Sequence, residues 1–293
     1  MKSLRKMCIA FLLNLAFSLI ELFGGLWVGS VSVLSDALHD FGDSISIGLS
    51  LVLERIGEKY PDTTHPYGYR RYSVLGSLLT AGLLCVSSLF VIIQGIRRLI
   101  APLPLNQNGI LLLAVFGLLI NGAAALVTHG GKSLNQRSIS LHLLEDVLGW
   151  AAVLLGGVVI KLTGWVAIDP LLSIGIALWI LLHAVKQLKE VLNIFLEKTP
   201  SDIDSAHIQA CLESLETITD VRYLRIRSID GIHAFASVHV VTDQDTSLTK
   251  NAVRSFLSAH GIAASTIEIS SPEEPYTDEL LNLPHDTHRH THH

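Results

Sequence analysis

Six apolar runs, each long enough to cross a bilayer, fill the first two thirds of this chain and leave little choice of architecture. They fall at roughly 7–28, 31–53, 73–96, 109–129, 139–162 and 166–188. A helix needs about 20 such residues to span the hydrocarbon, so the pattern predicts six transmembrane helices. The first run follows Met1 to Lys6 and continues to about Val28. That is longer than the apolar part of a signal peptide, no convincing small-residue cleavage site follows, and more apolar runs come after. It reads as a retained span. Gly29 and Ser30 leave room only for a tight turn, the connections 54–72 and 130–138 are longer, and 97–108, with Pro102 and Pro104, reads as a turn-rich loop.

Composition agrees. The 293 residues are 49% hydrophobic and 16% charged, with mean hydropathy +0.47, where soluble domains carry about a quarter charged residues. After about residue 200, charge and alternation resemble a soluble domain. Formal net charge is −5, which gives no basic footprint for nucleic acid. Cys8, Cys85 and Cys211 lie far apart with no C-x-x-C, against a disulfide framework, a thiolate zinc site or a soft Cu(I) site. No P-loop pattern is present, so ATP is not the direct energy source. Lys and Arg set orientation. Lys2, Arg5, Lys6, Arg55, Arg70 and Arg71, among others, would share one side, against Arg97, Arg98 and Lys161 on the other. That asymmetry puts both termini in the cytoplasm.

Inside these apolar runs one pattern occurs twice: His39-x-x-x-Asp43 and His142-x-x-x-Asp146. Residues four apart on a helix share a face, so each pair points an imidazole and a carboxylate the same way. Ionisable groups at membrane depth are costly and mark function by default. At about 100° per residue, with His39 at zero, Asp43 falls near 40°, Asp36 near 60° and Asp40 near 100°. All four share one face and must look into protein or a water-filled cavity. Glu145 points about 60° to the other side of its pair and borders the site. Two facing pairs supply two nitrogens and two oxygens, which suits a four-coordinate ion such as Zn²⁺, and also Co²⁺, Cd²⁺ or Ni²⁺. Manganese would favour more oxygen. Small residues on both helices (Gly42, Ser46 and Ser50; Gly149, Gly156 and Gly157) would let them approach closely. A plain buried polar network would explain a single acid with one partner; it explains the doubled motif poorly. Asp36, Asp40, Asn14 and Glu21 are open to either reading, with Asp36 and Asp40 as candidates for an access or proton path.

The chain resembles the cation diffusion facilitator family on these residues. Leu34-Ser-Asp-Ala-Leu-His39-Asp-Phe-Gly-Asp43 is similar to the family's second-span signature, Leu141-His142-Leu-Leu-Glu-Asp146 to its fifth, and His65-Pro-Tyr-Gly-Tyr-Arg to the segment opening the third. The resemblance implies an α-helical membrane protein of six spans carrying a C-terminal α+β, metallochaperone-like (ferredoxin-like) cytosolic domain. It implies a homodimeric, proton-coupled exporter of divalent metal, most often zinc, in which His39, Asp43, His142 and Asp146 form the transport site. The domain boundaries expected are 1–199 for the transport domain, 200–272 for the cytosolic domain and 273–293 for a flexible His-rich tail. The location expected is a bacterial inner membrane. A ligating imidazole must be neutral, so metal and protons compete for it near cellular pH.

Secondary sites follow from the same comparison. Asp62 and His65 lie where some members carry a further metal site, but the position of its second histidine here is Tyr69. Arg71 and Glu197 stand where the family can pair the third and sixth spans, a salt bridge that would hold the dimer together. In the C-terminal segment, Pro200 to Asp204 reads as a capped helix start. Strands at 221–229 and 232–242 would join through Asp230-Gly231, a hairpin signal. A helix near 247–259 and a strand near 262–269 complete an α-β-β-α-β order. His233, Phe235, Ser237, His239 and Val241 would share one strand face. His239 occupies a regulatory ligand position of the family, but its companions are Arg222 and Ser270, so that site reads as incomplete. The tail, Pro284 to His293, could capture metal weakly. A membrane metal sensor and an intramembrane metalloenzyme remain as alternatives to a transporter; the chain has no H-E-x-x-H and no evident nucleophile.

Overall fold

The computed structural model describes residues 2–28, 31–101, 107–131, 133–165 and 167–277; within these, the side chains of 2–3, 25–39, 107–113, 161 and 169 are not among those described. The Gly29–Ser30 turn, the loop with Pro102 and Pro104, the side chains of Asp36 and His39, and the tail beyond residue 277 therefore lie outside the described residues. The chain forms two compact units. The first comprises Met1–Pro200 with Arg227–Ala234, the second Ser201–Ile226 with Phe235–His293.

The first unit contains six long helices: α1 (Lys2–Val28), α2 (Val31–Gly57), α3 (Arg71–Ile100), α4 (Gln107–Thr128), α5 (Leu134–Thr163) and α6 (Ile168–Phe195). α3, α5 and α6 run beyond the apolar segments read from sequence. Hydropathy marks the part that meets hydrocarbon, whereas a helix continues until its end groups are satisfied. α5 thus begins after Ser133, whose side chain accepts from the Gln136 N–H at 3.1 Å, and ends at Gly164 in the left-handed region. Stretches of α1, α3, α5 and α6 are each long and apolar enough to cross a membrane, and Ala114–Thr128 of α4 is a shorter apolar helix. α2 carries Asp36, Asp40, Asp43, Glu54 and Arg55 within its 27 residues.

The first unit exposes large apolar side chains and buries polar ones beside its apolar core. Leu12, Phe23, Val86, Phe90, Leu119 and Leu126 are exposed, while Asn14, Ser18, Glu21, Thr80 and Asn121 are buried. Water would penalise that arrangement and lipid favours it. α1 packs on α2 and α4, α4 on α5, and α3 on α6, α2 and α5. One apolar cluster joins Met7 and Ala10 of α1, Ile47 of α2, Ala124 of α4, and Ile139 and Leu143 of α5.

A buried polar network ties the second, third, fifth and sixth helices together. Ser50 Oγ lies 2.7 Å from Thr80 Oγ1. Asn135 Nδ2 donates to the Ser50 carbonyl at 2.9 Å and to Glu54 at 3.2 Å, and Ser73 donates to the same carboxylate. Ser77 and Ser138 meet at 2.7 Å, and Gln187 Nε2 donates to Ser138 at 2.7 Å. The expected role of small residues is corrected at two positions. A Cβ built on Gly42 or Gly149 would meet nothing within 4 Å, so neither makes room for a neighbour. Gly76 does: a Cβ there would lie 2.9 Å from the Asn135 amide. Among the described contacts, α5 reaches α2 through the hydrogen bonds of Asn135 to Ser50 and Glu54.

The second unit contributes α7 (Ser205–Glu213), β1 (Asp220–Ser228), β2 (Ala234–Val241), α8 (Thr246–Ala259) and β3 (Ile262–Ser270), with sheet order β1-β2-β3. This is the expected α-β-β-α-β order. α7 starts later than Pro200, because Asp204 is the residue that caps it, accepting from the His207 N–H at 3.1 Å. Ile208, Leu212, Val238, Val240, Val253 and Leu257 are buried. The hairpin is looser than a two-residue turn. β1 stops at Ser228 and β2 starts at Ala234 because Asp230 Oδ1 accepts from the Ile232 and His233 N–H groups at 3.0 and 2.8 Å. Gly231, at φ +80, supplies the positive φ that this loop requires.

Candidate metal centre

α2 presents Asp43, and α5 presents His142 and Asp146 one turn apart. A ligand atom from each lies within 4.8 Å of the other two, and among the described residues this is the one group of three or more metal-ligating side chains. Asp43 and His142 are 4% and 2% exposed, and Asp146 is half-buried. His142 Nε2 stands 3.6 Å from Asp43 Oδ2. Neither ring nitrogen of His142 makes a hydrogen bond. A buried polar atom left so costs about 1–3 kcal/mol, a cost that coordination of a cation would offset. Two carboxylates and an imidazole converging between α2 and α5 suit a zinc-type ion. His39 lies four residues before Asp43 on α2, but its side chain and that of Asp36 are outside the described residues. Asp40 is half-buried.

Neighbouring helices support the centre. Ser44, beside Asp43, donates to the Asp40 carbonyl at 3.0 Å and accepts from Asn14 Nδ2 of α1 at 3.0 Å. Glu145 is 3.9 Å from His142 Nδ1, and Ser88 of α3 donates to it at 3.3 Å. Sequence reasoning marked Asn14 and Glu145 but missed Ser44 and Ser88. The signal available was a hydroxyl inside an apolar span, which is weak because serine can also satisfy itself against its own helix.

The secondary positions are otherwise engaged. Asp62 accepts from the Tyr69 hydroxyl at 2.7 Å, from the Thr64 hydroxyl and N–H at 2.7 and 2.9 Å, and from the His65 N–H at 2.8 Å. These bonds, that of Tyr69 foremost, hold its carboxyl far below the usual carboxylate range. His65 stacks on Tyr69 at 4.0 Å. In the second unit, His239 is 4% exposed, its Nε2 lies 2.8 Å from Ser270 Oγ, and its Nδ1 lies 3.7 Å from Glu268. The Arg222 guanidinium lies over Tyr276, which meets His239 edge-on. Arg71 does pair with Glu197, at 2.7 Å, and does so within one chain; Arg227 Nη1 donates to the same oxygen at 2.8 Å.

Comparison with known proteins agrees with this geometry. Residues 7–196 match the model of the cation efflux transmembrane domain. The chain is similar to a cadmium, cobalt and zinc/H(+)-K(+) antiporter of Bacillus subtilis, at 31% identity over 94% of this chain and 92% of the relative. It is similar to the metal cation efflux system protein CzcD of Cupriavidus metallidurans, at 30% over 82% of this chain and 76% of the relative. It is also similar to the zinc transporter ZitB of Pectobacterium atrosepticum, at 32% over 78% and 70%. With polar groups buried among apolar helices and a family model covering most of the chain, this protein belongs to the cation efflux family, the cation diffusion facilitators.

Proposed function

We propose that this chain is a secondary transporter, not an enzyme, that exports a divalent transition metal from the cytoplasm in exchange for protons by alternating access. Zn²⁺ is the foremost substrate, with Cd²⁺, Co²⁺ and Ni²⁺ as chemically compatible alternatives. The observation that carries this reading is the convergence of Asp43, His142 and Asp146 at the depth of a membrane-spanning bundle. Family membership and the printed names of the relatives support the substrate class.

In this reading His39 completes the transport site with Asp43, His142 and Asp146, and Asp36 and Asp40 line the path for metal or protons. Coupling follows from competition: an imidazole binds metal only when neutral, so protonation from outside displaces the ion. The transport domain is residues 1–199, the cytosolic domain 200–272, and the tail 273–293 a weak metal collector. Asp62, His65 and His239 are lesser metal positions. Their present hydrogen bonds must yield before they can bind. The working form is a homodimer in a bacterial inner membrane, both termini cytoplasmic.

Zinc flux into proteoliposomes under an imposed pH gradient tests this. Gradient-driven flux should vanish in Asp43→Ala and Asp146→Ala. Flux untouched by either change would move the site elsewhere. No flux with any divalent metal would sink the transport reading.

A further inference from the structure

His142 has two buried nitrogens and they face different neighbours. Nε2 looks toward Asp43, 3.6 Å from Oδ2, inside the candidate ligand group. Nδ1 looks toward Glu145, 3.9 Å from Oε2. A neutral imidazole that binds metal through one nitrogen carries its proton on the other, and that N–H requires an acceptor; in metal sites the acceptor is often a carboxylate. Glu145 is the carboxylate on that side. It stands outside the ligand group itself, and its side chain is 15% exposed.

The third helix aims it. Ser87 Oγ lies 3.4 Å from Oε2 and 3.5 Å from Oε1, and Ser88 Oγ lies 3.3 Å from Oε1. Both serines are buried, at 7% and 0% exposure. The gap from 3.9 Å to a hydrogen bond is about 1 Å, within the reach of a small ring rotation as a metal draws in Nε2.

We infer that Glu145 is a positioning residue: it accepts a hydrogen bond from His142 Nδ1–H in the metal-loaded protein and so makes Nε2 the donor to the metal, with Ser87 and Ser88 of α3 holding the carboxylate in place. The inference rests on the proposed role of His142 as a ligand. It also gives α3, which contributes no ligand, a direct link to the loaded state.

The test uses the full chain in detergent micelles, with zinc affinity measured by chelator competition beside the thermal unfolding of the metal-free protein. Glu145→Gln keeps the length but loses the charge and one of the two acceptor oxygens. Zinc affinity should fall about 10–100-fold with metal-free unfolding unchanged, and Glu145→Asp should recover part of the loss. Wild-type affinity in Glu145→Gln, with binding lost in Asp43→Ala, overturns the role of Glu145 and leaves the transport site intact. Wild-type affinity in Asp43→Ala and Asp146→Ala as well overturns the site itself. A second measurement needs no Glu145 variant: ring-¹⁵N histidine spectra of the zinc-loaded wild type, with the His142 signal assigned by its loss in His142→Asn. A proton on Nδ1 supports the inference, and a proton on Nε2 overturns it.

Discussion

His142 Nε2 sits 3.6 Å from Asp43 Oδ2, too far for a hydrogen bond and close enough for both to reach one ion. Metal-free, the histidine therefore contributes little beyond packing and leaves its nitrogens unsatisfied. His142→Leu should leave metal-free stability unchanged or slightly raised, because it removes two orphaned polar atoms. Zinc-dependent stabilisation should disappear. At a zinc concentration of 100 Kd the wild type gains about 2.7 kcal/mol, and the variant should gain none. Thermal unfolding with and without zinc measures both. A large metal-free loss would mean that His142 holds structure rather than metal.

The network around Asn135 predicts a different pattern. Its amide bonds α2 through Ser50 and Glu54, and Gly76 of α3 leaves it room. Asn135→Ala removes donors from a buried carboxylate and a buried carbonyl. Hydrogen bonds between membrane helices are worth about 0.6–1.7 kcal/mol each, so a loss of about 1–2 kcal/mol is expected, seen as earlier unfolding with or without metal. Zinc affinity per folded molecule should stay within twofold. A change confined to affinity would place Asn135 in the site instead.

Glu197 predicts a pH effect. The Arg71 bond, with Arg227 adding to it against the opposing pull of burial, holds its carboxyl below the ordinary value of 4.5. A depressed pKa contributes stability that is fully present above 4.5 and is lost as pH falls through the lower folded value. The group is about half exposed, so the contribution is on the order of 1 kcal/mol or less. Glu197→Gln should therefore unfold slightly earlier than wild type at pH 7, and the two should converge once the pH has fallen through the lowered folded-state value. A difference that persists in acid would assign the effect to packing.

How far the fold could be read ahead depended on whether a feature is local. Hydropathy and four-residue spacing carry the helices and place Asp43, His142 and Asp146 on shared faces, because helix periodicity is a property of neighbours in sequence. The order of elements after residue 200 was legible for the same reason. Boundaries were less so: the segment Pro200 to Asp204 was expected to hold the capped start of α7 without singling out Asp204, and Asp230 uses its side chain to widen a turn that Asp-Gly alone suggests is tight. Contacts across the bundle were not legible. Nothing in the spacing of Ser50, Asn135 or Gln187 says that they meet, and the expectation that small residues let the two helices approach is not met at Gly42 and Gly149, because spacing assigns helix faces without saying which neighbour each face has. Ser88 beside Glu145 was hidden in the same way.

Metal choice supplies the last prediction. The imidazole of His142 is the nitrogen donor among the described residues of this centre, beside the His39 ring of the proposed site, and nitrogen favours Zn²⁺, Co²⁺ and Cd²⁺ while carboxylates suit Mn²⁺ and Mg²⁺. Replacing it should cost at least the 10–100-fold in zinc affinity that loss of an outer hydrogen-bond partner costs at metal sites. His142→Asp replaces the neutral nitrogen ligand with an anionic oxygen ligand of smaller volume at the same place. Its zinc affinity should fall by that factor while its affinity for Mn²⁺ holds or rises, so the ratio of Zn²⁺ to Mn²⁺ flux in proteoliposomes should drop about tenfold or more. Parallel losses for both metals would mean that the site tolerates no change of shape. An unchanged ratio would show that selection occurs at some other point on the path.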